Sequence, residues 1–250
     1  MSRTSIRKDF LNFVKNPDYF PFHESTPSKR LIILFKVFVI SSLLCIIPAI
    51  TLSFFEYLGF YNGIEMISTE IYDFERSRNN GYTIYIIILG VVITPVLEEI
   101  AFRLPLKRFD FKSIILAIAV VLGLFFMYYF PEYLWWPKGK LFFFLTHMFY
   151  LISIIGILFA LLNQFGVRIS KLKNFWNNNP SKIYYLSLTL FTVLHVFNLN
   201  IEIKDLVFLP IALLPFLISG LAFGYLRVRL GLIYSILMHI IINGLSFTFG

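Results

Sequence analysis

The sequence predicts an all-α fold, a polytopic bundle of about seven transmembrane helices with the N-terminus in the cytoplasm. Three observations predict it. Only 14% of the 250 residues are charged while 58% are hydrophobic and 19% aromatic, against about 25% charged in soluble domains. The apolar residues gather in continuous runs that match the roughly 20 helical residues needed to cross hydrocarbon. The 22 Lys and Arg concentrate in alternate loops between those runs, as the positive-inside rule requires. Continuous runs exclude a β-barrel, whose strands would read as short alternating segments. The net charge of +8 therefore sets orientation and does not mark a nucleic-acid binder. The one cysteine, Cys45, lies inside an apolar run, which excludes an intramolecular disulfide and a Cys-rich metal site.

Residues 1–30 form a basic cytoplasmic segment. Within it Ile6, Phe10, Phe13 and Val14 recur at helical spacing among Arg7, Lys8 and Lys15, the pattern of an amphipathic helix lying in the interface. A disordered basic tail is the competing reading. Residues 31–250 form the membrane domain, with candidate spans at 31–55, 82–106, 113–130, 141–162, 183–199, 206–226 and 230–249. The third and fifth are the shortest, and eight spans is the other count. The first thirty residues are polar and no small-residue cleavage pattern follows the first run, so that run is expected to be a retained anchor. The segment before the first span and the loops after the second, fourth and sixth carry most of the basic residues, among them Arg103, Lys107, Arg108, Arg168, Arg227 and Arg229. The first of the alternate loops is acidic, with Glu56, Glu65, Glu70, Asp73 and Glu75. Tyr128, Tyr129, Tyr133, Trp135 and Trp136 around Pro131 read as an outer aromatic belt.

An ionisable side chain at the centre of a span costs about 2.5–3.5 kcal/mol on insertion scales, so each one asks for a reason. Lys36 lies one turn into the first span and can snorkel. His147, near the outer end of the fourth, reads as structural. Three groups are harder to dismiss: Glu98, Glu99 and Arg103 in the second run, His195 in the fifth, and His239 with Asn243 in the seventh. Glu99 and Arg103, four apart on a helix, can pair directly. Glu98, rotated about 100° from Glu99, is freer to face a cavity. His239 and Asn243 share one face. Counted from the cytoplasmic helix ends at about 1.5 Å per residue, Glu98, His195 and His239 lie about 14, 16 and 15 Å deep. Spans two, five and seven are thus expected to enclose a polar site near mid-membrane.

A carboxylate and an imidazole sharing a water can take its proton and direct it at a carbonyl carbon. A second histidine with an asparagine supplies donors for the resulting oxyanion. The set is complete without a cysteine or serine nucleophile, and no serine adjoins these groups in the sequence. The chemistry is hydrolysis at a carbonyl carbon. A proton-coupled transporter stands beside it, since buried Glu, His and Arg also build proton relays. A transporter would favour internal repeats, and none is evident; Pro95, Pro210 and Pro215 fit as tolerated kinks.

Glu98-Glu99-Ile-Ala-Phe-Arg103, Phe191-Thr-Val-Leu-His195 and His239-Ile-Ile-Ile-Asn243 resemble, in order, the three motifs of the CPBP family, the CAAX prenyl protease and bacteriocin-processing (Abi) intramembrane proteases. The stretch from Gly220 to Gly231 also resembles that family's approach to its third motif, and the resemblance covers residues 82–250. It implies that Glu98 and His195 activate water, that His239 and Asn243 form the oxyanion site, and that Glu99 and Arg103 hold the geometry. It implies an integral membrane endopeptidase acting on a peptide or lipidated protein substrate in the lipid bilayer, or in the same fold a non-proteolytic scaffold or bacteriocin-immunity protein, and a bacterial inner membrane location. His195 follows Glu98 by 97 positions, and the interval holds an extra hairpin at about 113–162, which weakens transfer of prenylated CAAX substrates. The cofactor is none or one divalent metal such as zinc, for which Glu98, His195 and His239 would be the three ligands. No HExxH helix is present, and a Glu/His pair can activate water alone, so the reading favours metal-independent action.

Overall fold

A computed structural model describes residues 5–21, 26–60, 65–66, 87–129, 166–200 and 202–249. It is a helical bundle. The expected span at 141–162, His147, most of the aromatic belt and most of the acidic loop lie outside the described residues.

Helix α1 (Ile6–Lys15) begins where the Ser5 hydroxyl accepts from the Lys8 amide. Helix α2 (Pro27–Tyr57) begins at Thr26, which caps the Lys29 amide, with Pro27 in the first turn where its missing N–H costs nothing. The second expected span is described from residue 87. It opens as a π-helical turn, Ile88–Ile93, and continues as α3 (Thr94–Phe102). Helix α4 covers Phe111–Tyr129, and α5 and α6 cover Gly166–Asn178 and Pro180–Leu194. A 3-10 turn at Ile203–Phe208 leads into α7 (Leu209–Ala212), then α8 (Leu214–Arg229) and α9 (Leu232–Phe249) follow. Gly231, at φ +111°, makes the turn between α8 and α9, a conformation that a side chain would strain.

Pro27–Tyr57 and the helical stretch Ile203–Arg229 are long and apolar enough to cross a membrane. Along α2, Phe35, Ile47 and Ile50 are each more than 60% exposed. So wide an apolar face needs an apolar surrounding, and a bilayer supplies one.

Three sequence expectations change. The run at 183–199 is not one helix: α6 ends at Leu194, a 3-10 turn spans His195–Asn198, and the two-residue strand β2 (Leu199–Asn200) pairs antiparallel with β1 (Glu65–Met66). Fifteen residues at about 1.5 Å each reach about 22 Å, short of the roughly 30 Å hydrocarbon core. The run at 206–226 is broken at Leu213, flanked by Pro210 and Pro215, whose missing N–H groups remove ladder bonds. Residues 6–15 form the expected helix and not the competing disordered tail, but its apolar face does not lie in the interface, because Phe10 and Phe13 are covered by protein. Their rings meet Tyr225 and Tyr184 edge to face, at centroid distances of 5.0 to 5.3 Å. Asp9 accepts from the Tyr225 hydroxyl at 2.8 Å and pairs with Arg229, which also reaches Asp18 at 2.5 Å. The carbonyl of Val14 accepts from the Tyr185 hydroxyl. Arg229, which the sequence places among the orientation-setting loop charges, is buried and fastens α1 to the bundle.

Helix α8 is the central column, packed on α2, α6 and α9. Membrane helices gain little from burying apolar surface against one another, so close backbone approach and internal hydrogen bonds carry the association. Gly220 and Gly224 permit that approach: a Cβ at Gly224 would stand 2.5 Å from a ring carbon of Tyr184. Tyr184 is fully buried and its hydroxyl donates to the Leu221 carbonyl at 2.9 Å, so the ring has nowhere to go. Gly224→Val is expected to cost about 1–3 kcal/mol through overpacking. Thermal unfolding in detergent checks this, and an unchanged midpoint refutes the close-approach account.

Candidate active site

The site is assembled from four elements: α3, the end of α6, α8 and α9. Glu98 and Glu99 lie on the second turn of α3, and their rotation about the helix separates their fates. Glu99 is fully buried. Its Oε1 pairs with Arg103 Nε at 3.7 Å and accepts from His239 Nδ1 at 3.0 Å, and its Oε2 accepts from the Ser235 hydroxyl. The i, i+4 pairing expected of Glu99 and Arg103 is present. Arg103 Nη1 and Nη2 have no hydrogen-bond partner among the described residues. The guanidinium instead lies 3.8 Å from the centre of the Phe191 ring, with Phe223 also within reach.

Glu98 points to the two histidines. Its Oε2 lies 3.9 Å from His195 Nε2 and 3.6 Å from His239 Nε2, and it is buried with no hydrogen-bond partner among the described residues. His195 sits where α6 gives way to the 3-10 turn, and its Nδ1 is 2.6 Å from the Phe191 carbonyl. A carbonyl only accepts, so Nδ1 carries the hydrogen and Nε2 faces Glu98. The same reasoning places a hydrogen on His239 Nδ1, facing the Glu99 carboxylate. Rings hold both imidazoles: Phe223 stacks on His239 at 4.4 Å, while Phe191 and Phe216 flank His195 at 4.4 and 4.3 Å.

Glu98, Glu99, Arg103, His195 and His239 therefore converge, although the span expected to carry His195 stops one residue before it. Asn243 stands differently. Its Nδ2 donates to the Gly90 carbonyl at 3.1 Å. Gly90 belongs to the π-helical turn, where i→i+5 pairing disturbs the regular ladder, and Asn243 answers one of its carbonyls. Two residues escaped the sequence reading. Ser235 is one turn before His239 on α9, and that i−4 spacing was the available signal. Arg227 caps the end of α3, donating from Nε to the Arg103 carbonyl at 2.8 Å and from Nη2 to that of Leu104 at 3.2 Å.

Among the described residues no group of three or more His, Cys, Asp or Glu side chains is arranged to hold a metal ion. In a tetrahedral zinc site, neighbouring N and O ligands stand about 3.4 Å apart. Here Glu98 Oε2 is 3.6 and 3.9 Å from the two imidazole nitrogens, and both edges are wider. The side chains as they stand do not form the cage, and no step below runs through a metal.

Fold and site define a helical bundle with membrane-spanning character and a buried Glu/His centre. A protein-family model described as type II CAAX prenyl endopeptidase Rce1-like matches residues 150–245, which bears out the resemblance to the CPBP family. The matched segment holds His195, His239 and Asn243; Glu98, Glu99 and Arg103 precede it and are joined to it by the geometry. No curated protein and no solved structure matches the chain.

Proposed function

We propose that the protein is an integral membrane endopeptidase that hydrolyses a peptide bond of a membrane-associated substrate, with its N-terminus in the cytoplasm. The observation that carries this reading is Glu98 Oε2, buried and without a hydrogen-bond partner, facing two imidazole Nε2 atoms at 3.6 and 3.9 Å. Glu98 Oε2 and His195 Nε2 both accept and call for a donor between them, and a water supplies two hydrogens. That water gives one hydrogen bond to Glu98 and the other to His195 Nε2. Transfer of a proton to this pair leaves the oxygen to attack the carbonyl carbon of the peptide. Protonated His239, donating from Nδ1 to Glu99, presents Nε2–H to the oxyanion. Asn243 joins it by releasing the Gly90 carbonyl. As the C–N bond breaks, the proton held by Glu98 and His195 passes to the departing amine. The endopeptidase family match supports this chemistry.

The test is cleavage of a fluorogenic peptide carrying a C-terminal lipidated cysteine by purified protein in proteoliposomes. His195→Gln is expected to lower the rate by about 10²–10⁴-fold, the span of general acid–base contributions. Full cleavage by that variant overturns the mechanism. The same assay in excess chelator is expected to run at an unchanged rate. Loss of cleavage that zinc restores would replace the metal-free mechanism.

A further inference from the structure

The geometry points to a second binding site, for one anionic phospholipid, in the groove between the start of α1 and the first half of α2. The groove has a volume of about 390 Å³ and is lined by Ser5, Ile6, Arg7, Phe35, Lys36, Val39 and Ile40, within the size range of small-molecule sites. Its α2 wall is made of two neighbouring ridges, Phe35 with Val39 and Lys36 with Ile40, each an i, i+4 pair. That wall is apolar apart from one cation. The opposite wall adds a second cation, Arg7. Both are exposed, and neither forms an ion pair among the described residues.

The inference rests on the chain lying in a bilayer and is independent of the peptidase reading. Lys36 is nine residues into an apolar helix, about 14 Å from its start, on a side that protein does not cover. A lysine so placed can snorkel toward the headgroups along its own aliphatic stem. The structure shows more than snorkelling: a second positive charge borders the same groove, and like charges brought together in a weakly polar surrounding repel unless an anion lies between them. A lipid phosphodiester supplies that anion. Its acyl chain continues along Phe35 and Val39, which are 63% and 37% exposed. Charge and apolar surface are thus arranged in the order of a phospholipid, headgroup first. Because α1 is pinned to α8 by Asp9 and Arg229, one wall of the groove is held by the folded bundle.

Full-length protein purified in a neutral detergent and titrated with phosphatidylglycerol or phosphatidylcholine, with bound lipid counted by native mass spectrometry, tests the site. One phosphatidylglycerol is expected to bind in preference to phosphatidylcholine. The Arg7→Gln/Lys36→Gln variant is expected to lose roughly 30-fold in that preference, from about fivefold for each basic residue near a membrane surface. Lys171→Gln/Lys173→Gln, which removes two exposed charges from α5, is expected to keep it. Val39→Trp leaves both charges and fills the groove, and is expected to weaken both lipids. Equal binding by wild type and the Arg7/Lys36 variant overturns the proposal. An equal loss in the Lys171/Lys173 variant also overturns it, because the attraction is then diffuse. Unchanged binding by Val39→Trp overturns the acyl-chain assignment.

Discussion

Glu98→Gln is expected to lower peptide hydrolysis by about 10³-fold, with helix content and thermal midpoint unchanged. The substitution is nearly isosteric, so α3 has no reason to move. Glu98 makes no hydrogen bond that holds the fold, since its buried Oε2 has no such partner among the described residues. What changes is the sign of one group. The carboxylate oxygen accepts a hydrogen from the water, whereas an amide turned toward the histidines donates to His195 Nε2 and displaces that water. The loss should therefore fall on kcat, with KM little changed, because Glu98 touches the water and not the peptide. Glu98→Asp, one methylene shorter, should keep the charge and recover only part of the rate, since a displacement of about 1 Å can itself cost about 10²-fold. Kinetics in proteoliposomes, beside circular dichroism on the same preparations, separate this result from unfolding. A Glu98→Gln enzyme within tenfold of wild type would assign Glu98 a structural role.

Which parts of this site the sequence discloses follows from the geometry of a helix. Positions four apart share a face, so the Glu99–Arg103 pair and the divergence of Glu98 were legible from spacing alone. The equal depths assigned to Glu98, His195 and His239 rested on treating each run as an unbroken helix, yet α6 stops at Leu194 and the three side chains still meet. The agreement survives because His195 is the residue that caps α6, with helical dihedrals of φ −70° and ψ −12°, so it stands where a further helical residue would. Asn243 shows the limit of the same argument. It shares a face with His239, but a π-helical turn on another segment offers it the Gly90 carbonyl, and no periodicity announces such a turn. Arg227 and Arg229 read as loop charges because they follow an apolar run. Only the packed structure reveals carbonyls of α3 and carboxylates of the N-terminal segment beside them. Long-range partners of this kind are set by tertiary contact, which a single sequence does not encode locally.

The second large effect separates stability from catalysis at the buried pair. Arg103→Met is expected to destabilise the protein by about 3–5 kcal/mol, the usual cost of leaving a buried charge without its partner. The lower end is the better expectation, because Glu99 would keep its bonds to Ser235 and His239. The arginine itself contributes little polar satisfaction, since its Nη1 and Nη2 are orphaned. Much of its hold is dispersion and cation–π contact over Phe191, which a methionine of similar length partly replaces. Removing both charges should reverse the loss: Glu99→Leu/Arg103→Met is expected to unfold at or above the wild-type midpoint, as apolar replacements of buried ion pairs often do. Its hydrolysis should nevertheless stay far below wild type. His239 Nδ1 would then face a methyl group, the imidazole would lose the acceptor that fixes its tautomer, and Nε2 would no longer be held as a donor toward the oxyanion. Thermal unfolding in detergent read beside cleavage rates gives both quantities for each variant. A double variant that is stable and fully active would show that the pair has no part in positioning His239, and one that fails to fold would show that Glu99, through Ser235 and His239, holds α3 to α9.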